Sequence, residues 1–182
     1  AAMAKARKVE FIQGKATFKS NSEVEVVNGK KKNSLSFDQC IIAAGSSSSM
    51  LPNVPKHKNI LTSKTALDLE SIPKSLLVIG GGVIGVELGQ VYSTLGSKVS
   101  LVEFLPSIIP GADQDIVKPL ERKLKKQFEL IMMNSKVVKI KETKNNMLSV
   151  TIEHESKSKT MSFEKILVAV GRKPNTDLLN LK

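Results

Sequence analysis

The chain has 182 residues, 41% of them hydrophobic, 25% charged and 4% aromatic, with one cysteine, no tryptophan and a formal net charge of +11. That length supports one or two ordinary cores, and the composition excludes a wholly disordered or a collagen-like chain, while the lone Cys40 excludes an internal disulfide and hence a stapled secreted scaffold or a self-contained redox dithiol. No apolar run approaches the roughly 18 to 20 residues that cross a bilayer, and the N-terminus lacks the apolar middle of a secretory signal, so the sequence predicts a cytoplasmic location and no membrane partner.

The first forty-odd residues alternate short apolar and polar stretches separated by turn signals: Val9 to Ile12, Ala16 to Phe18, Val24 to Val27 and Leu35 to Phe37. They predict a small antiparallel meander, and Cys40 to Ala44, apolar throughout, predicts a fully buried strand at its end. Gly45 and the serines Ser46 to Ser49 break the pattern. Residues 51–73, rich in Pro, Asn, Lys and Ser, read as an interdomain connection with one short helical stretch around Thr65 to Leu69. From Lys74 strands and helices alternate: a strand over Leu76 to Ile79, a helix over Val83 to Leu95, a strand over Val99 to Glu103, a helix over Asp113 to Phe128 and a strand over Leu130 to Met133. Strands joined through helices of this length imply a parallel sheet with helical cover. Pro119 falls inside the second helix and predicts a kink there or a shifted start near Asp115. Val137 to Glu142, Leu148 to His154 and Lys159 to Phe163, with a turn at Lys144 to Asn146, form an antiparallel β excursion, and Ile166 to Val170 reads as a buried strand returning to the sheet. The fold class is therefore α/β.

Two basic stretches, Lys30 to Lys32 and Arg122 to Lys126, raise the question of nucleic acid. The first follows Asn28-Gly29 at a predicted hairpin tip, and the second lies on the polar side of a helix whose apolar residues are Ile116, Leu120, Leu124 and Phe128. Solvated faces account for both, and aromatic residues for base stacking are scarce, so no nucleic-acid partner is assigned.

The chemistry lies in Gly80-Gly81-Gly82-Val83-Ile84-Gly85, which carries G-x-G-x-x-G at Gly80, Gly82 and Gly85. The bare pattern is weak, but here it follows an apolar strand, opens a helix and is followed, about 20 residues on, by an acid, Glu103, at the tip of the next strand. Each part has a physical reason: Gly80 for the tight turn, Gly82 for close approach of a pyrophosphate, Gly85 for close packing of helix on sheet. The helix N-terminus then receives the phosphate charge. A carboxylate at Glu103 accepts hydrogen bonds from both hydroxyls of an adenosine ribose and repels a 2′-phosphate. The following Phe104-Leu105-Pro106 offers no cation to neutralise one, so NAD is favoured over NADP. Glu87, early in the helix, is favoured there by the dipole whether or not it has a functional role. His57 and His154 have no partner motif, so no catalytic residue and no metal site is assigned.

The segment Ile72 to Gly89 resembles the pyridine-nucleotide disulfide oxidoreductases, and so do Val102 to Pro106, Ile109 to Val117 and Ala169 to Thr176. The likeness runs essentially from end to end and is nearest to the branch that oxidises dihydrolipoamide for 2-oxo acid dehydrogenase complexes. It implies residues 1–50 as a partial FAD-binding domain, 51–73 as the connection, 74–173 as a Rossmann-like NAD-binding domain and 174–182 as a return toward the FAD domain. It implies NAD contacts at Gly80, Gly81, Gly82, Val83, Ile84, Gly85, Val86 and Glu87, with Glu103 at the adenine-side ribose, Val137 at adenine and Gly171 at the nicotinamide end. It also implies FAD contacts at Ala16, Ala44, Gly45 and Ser46. The family's own FAD glycine motif, its C-x-x-x-x-C disulfide, its Gly-Asp flavin motif and its His-Glu base do not occur in this sequence, so the chain is expected to be inactive alone. The parent would be a homodimer bound to the E2 component of such a complex, with lipoamide as substrate and FAD and NAD as cofactors. Two alternatives stay open: a non-catalytic NAD-binding module, and the same domain of a mercuric or glutathione reductase relative.

Overall fold

The computed structural model of the protein describes residues 2–52, 54–143 and 145–181. Its chain divides into two units, one of residues 1–47 and 174–182, the other of residues 48–173.

In the smaller unit a five-residue helix, α1 (Ala2–Ala6), precedes an antiparallel sheet of β1 (Lys15–Ser20), β2 (Glu23–Asn28) and β3 (Lys31–Ser36). The β2–β3 hairpin closes on the pair Asn28 and Lys31, so its loop is Gly29-Lys30, and Gly29 takes the positive φ of 59° that a two-residue hairpin loop with glycine first requires. Lys31 and Lys32 therefore belong to the strand rather than to the tip. Phe18 and Phe37 meet edge to face with centroids 5.9 Å apart, and the Phe18 N–H donates to the Leu179 carbonyl at 2.9 Å.

Two expected strands of this unit do not form. Val9 to Ile12 is irregular, and Cys40 to Ala44 is an exposed irregular segment in which Ile41 is 93% accessible. A run that is apolar throughout is stable as a strand only with partners on both edges and cover on both faces, and the described residues supply neither here. The lone Cys40 is accordingly exposed, not buried.

The chain crosses between units at β4 (Ser46–Ser48) and again at β13 (Arg172–Pro174). The larger unit begins with β5 (Ile60–Thr62) and a 3₁₀ turn, Thr65–Leu67. Then follow β6 (Ser75–Ile79), α2 (Val83–Thr94), β7 (Lys98–Val102), α3 (Gln114–Gln127) and β8 (Leu130–Met132). The antiparallel strands β9 (Ser135–Glu142), β10 (Leu148–His154) and β11 (Lys157–Phe163) come next, before β12 (Lys165–Val168). The predicted α/β class is what is observed: β5, β12, β6, β7 and β8 lie side by side in that order with every pair parallel. The stretch read as a connection thus contributes an edge strand, whose Leu61 is buried. Of the turn expected at Lys144 to Asn146, Lys144 lies outside the described residues.

Three layers follow from period-two alternation along β6. Leu76 and Val78 pack into the cluster formed with Val86 and Tyr92 of α2 and with Val117 and Leu124 of α3. Leu77 and Ile79 pack into the other, with Ile140, Leu148, Val150 and Phe163 of the antiparallel sheet. A strand covered on both faces has no polar side, which is why Leu76 to Ile79 is uninterrupted hydrocarbon. Helix α3 starts at Gln114 and runs through Pro119, which lacks the N–H that would bond Asp115. No helix among the described residues is long and apolar enough to cross a membrane.

Candidate functional site: a cleft at the glycine turn

Beyond β6 the chain reverses through Gly80 at φ +106° and enters α2 at Gly82. A Cβ on Gly80 would overlap the Ala169 carbonyl, and one on Gly85 would overlap the Gly80 carbonyl, so both glycines are demanded by the protein's own packing. Gly82 is different: an added Cβ would meet nothing within 4 Å. Gly82 is also the N-cap of α2 and has no side chain with which to cap the helix.

This turn borders a cleft of about 640 Å³ outside the carboxyl ends of β6, β7 and β12, to which Ile79, Val102 and Val168 contribute. Chain order along the sheet reverses beside β6, with β7 on one side and β12 on the other, and in open parallel sheets ligands bind at such a point. Gly80, Gly82, Val83, Ile84 and Glu103 line the cleft, as do Val137 on β9 and Gly171.

Four expected contact residues are placed elsewhere. Val86 is 2% accessible and belongs to the core under the sheet, because the buried face of α2 runs through Gly85, Val86, Gly89 and Tyr92. Gly85 is buried at the close approach of helix and sheet, and Gly81 is buried beneath the cleft, where a Cβ would press on Ile108 and Glu103. Glu87 is exposed and does not line the cleft.

Glu103 is only 7% accessible, and its carboxylate is already engaged. One oxygen accepts from the Gly81 N–H at 2.5 Å and the other from the Leu105 N–H at 2.7 Å. The Ile109 N–H in turn donates to the Gly81 carbonyl at 2.8 Å, and the Ser135 N–H to the Glu103 carbonyl at 2.9 Å. Glu103 is thus a fastening for the loops around the cleft, and each carboxylate oxygen keeps a further lone pair for a ligand hydroxyl.

Sequence spacing did not reveal four polar side chains, Lys136, Arg172, Ser48 and Ser63. Lys136 lines the cleft beside Ser135 and pairs with Glu153 at 2.9 Å. At the Gly171 end, Arg172 Nη1 donates to the Ser63 hydroxyl at 2.9 Å, and the hydroxyls of Ser48 and Ser63 are 3.0 Å apart. These are long-range neighbours and carry no local signal.

In the smaller unit, Asn175 gathers two of the residues assigned to FAD: its Nδ2 donates to the Ala44 carbonyl at 3.1 Å and its N–H to the Gly45 carbonyl at 3.0 Å. Ser46 is half-buried on β4, and Ala16 lies on β1 opposite Val26. The cleft is lined by none of the four. No cluster of three or more metal-ligating side chains occurs among the described residues.

Dihydrolipoyl dehydrogenases are similar along nearly the whole chain. That of Buchnera aphidicola from Schizaphis graminum is 40% identical over 182 residues, covering 99% of this chain and 38% of the relative. That of Haemophilus influenzae is 41% identical over 183 residues with the same coverage. The chain therefore spans about two-fifths of the length of these relatives. Among solved structures, the Cu(II) complex of the HOCl-induced flavoprotein disulfide reductase RclA from Escherichia coli superimposes with a TM-score of 0.84 at 27% identity, over 97% of this chain and 40% of that one. LpdA from Mycobacterium tuberculosis, at 23% identity and a TM-score of 0.85, shares the fold over 100% of this chain and 41% of its own. Residues 1–182 match the family described as pyridine nucleotide-disulphide oxidoreductase, and with the glycine turn, the cleft and these relatives in agreement, the chain belongs to that family.

Proposed function

We propose that this chain is the NAD-binding portion of a flavoprotein disulfide oxidoreductase of the dihydrolipoyl dehydrogenase type. The observation that carries the reading is Gly82: packing leaves a Cβ free space there, so glycine serves whatever occupies the cleft. The fit is physical. The α2 N-terminus faces the cleft without a side-chain cap, which suits a pyrophosphate, and the carboxylate of Glu103 suits a ribose. Val137 would lie against adenine, and Val83, Ile84 and Gly171 at the nicotinamide end; the bound nicotinamide would supply a hydride acceptor. Val86 and Gly85 act from beneath, holding α2 on the sheet.

In the parent enzyme electrons would pass from dihydrolipoamide through a dithiol and FAD to NAD, in a cytoplasmic homodimer attached to the E2 component of a 2-oxo acid dehydrogenase complex. Residues 1–50 and 174–182 would contribute to the FAD domain, with Ala16, Ala44, Gly45 and Ser46 against the flavin. The chain by itself would bind NADH without turnover.

Calorimetric titration with NADH, NADPH and FAD tests this. Saturable NADH binding, weaker NADPH binding and at least tenfold loss in Glu103→Ala are expected. A folded chain that ignores NADH would overturn the proposal, and tighter NADPH binding would reverse the cofactor assignment and point to Lys136 as the phosphate's partner.

A further inference from the structure

A second recess, of about 520 Å³, shares Ser135 with the cleft and has no part in the proposed function. Its floor is apolar, formed by Leu130, Ile131, Met132, Met133 and Ile152. Its rim is cationic. On β10 and β11 the cross-strand pairs are Ile152 with Lys159 and His154 with Lys157, alternate pairs that share one face of the sheet. Lys125 on α3 also reaches the recess, where Glu121 holds it at 2.6 Å, and Glu155 stands 3.9 Å from His154 Nε2. Among the described residues, Lys157 and Lys159 have no carboxylate partner. Two ammonium groups two residues apart on one strand repel each other, and an anion between them would relieve this.

We propose that this recess binds a small carboxylate with an apolar body, of the alkyl- or arylcarboxylate class. The carboxylate sits between Lys157 and Lys159, and the body lies over the methionines and Ile152. Its volume is in the range of small-molecule sites, and a mostly apolar lining with a few convergent charges is how such sites achieve orientation. No Phe, Tyr or Trp lines it, and the His154 imidazole is the one flat ring that a nucleobase would find there, where stacking platforms use several. A bare inorganic anion would leave the floor unused.

The probe is octanoate, titrated into the full chain by calorimetry, with octylammonium and inorganic phosphate as comparisons. Saturable octanoate binding is expected, falling at least tenfold in the Lys157→Gln/Lys159→Gln double variant and unchanged in Gly82→Ser, with octylammonium not binding. Both lysines are exposed, so the double variant should melt at the parent temperature, and that is checked alongside. Absence of saturable octanoate binding overturns the proposal, and so does equal binding by the double variant. Loss in Gly82→Ser would place octanoate in the dinucleotide cleft, and phosphate binding as tightly as octanoate would reduce the site to a simple anion contact; either result also overturns it.

Discussion

At Gly82 the backbone angles are φ −69° and ψ 178°, an extended conformation open to any residue, whereas Gly80 and Gly85 face carbonyl oxygens that leave no room for a Cβ. The three glycines of one motif therefore answer to different demands, and substitution should separate them. Gly82→Ser supplies a good N-cap, so its melting temperature should equal or exceed the parent's while NADH affinity falls at least tenfold. Gly85→Ala forces helix and strand apart, so it should lose roughly 1 to 3 kcal/mol of stability as well as binding. Thermal melts paired with NADH titrations check both, and a Gly82→Ser chain that binds NADH normally would remove the reason for a glycine there. The glycines and Glu103 were legible because their spacing is local. The burial of Glu103 and its bonds to the Gly81 and Leu105 amides were not, because they depend on how three loops converge after folding.

Among the elements, the parallel sheet was legible from its apolar runs, and the face of α3 was legible only in part. The pattern Ile116, Leu120, Leu124, Phe128 advances by four, which drifts about 40° per step against a period of 3.6 residues. Over the helix the drift carries one end of the row off the buried face: Leu124 and Phe128 are buried, Ile116 is 65% accessible, and Val117 takes the inward place. Helix α2 has a polar tie of its own, since the Tyr92 hydroxyl, buried in the core, donates to the Ala66 carbonyl of the 3₁₀ turn at 2.7 Å. Burial, and secondarily the Asp68 carboxylate, raise the Tyr92 pKa above its ordinary value of 10.0. In the unfolded chain this phenol ionises at its ordinary value while the folded one keeps its proton, so its contribution to stability is intact below pH 10 and is lost as pH rises through the folded value. Tyr92→Phe should cost about 1 kcal/mol at neutral pH by orphaning the Ala66 carbonyl, and the gap to the parent should narrow above pH 10. Urea midpoints of the two chains measured between about pH 9 and about pH 11 test this, lysine titration being common to both. A constant gap would contradict the raised pKa.

For the molecule as a whole, the decisive contrast is where hydrocarbon is buried. In residues 48–173 both faces of the parallel sheet are covered, whereas in the smaller unit Val26 is the one buried hydrophobic side chain among the described residues, and Met3, Phe11 and Ile41 are each more than three-quarters accessible. A three-stranded sheet of this size needs an apolar face packed against something to be stable by itself. The sequence showed the apolar runs but not this imbalance, because a run such as Cys40 to Ala44 has the same composition whether or not partners flank it. Local opening free energy follows local burial, so the amides of β1, β2 and β3 should exchange with solvent orders of magnitude faster than those of Leu76 to Ile79, whose exchange requires global unfolding. Limited proteolysis should cut first near Ile41 and leave residues 48–173 intact, still able to bind NADH. Protection of β1 to β3 equal to that of β6 would mean that the smaller unit gains burial from a source such as a second copy of the chain. A concentration series of the exchange experiment would then show protection rising with dimer population.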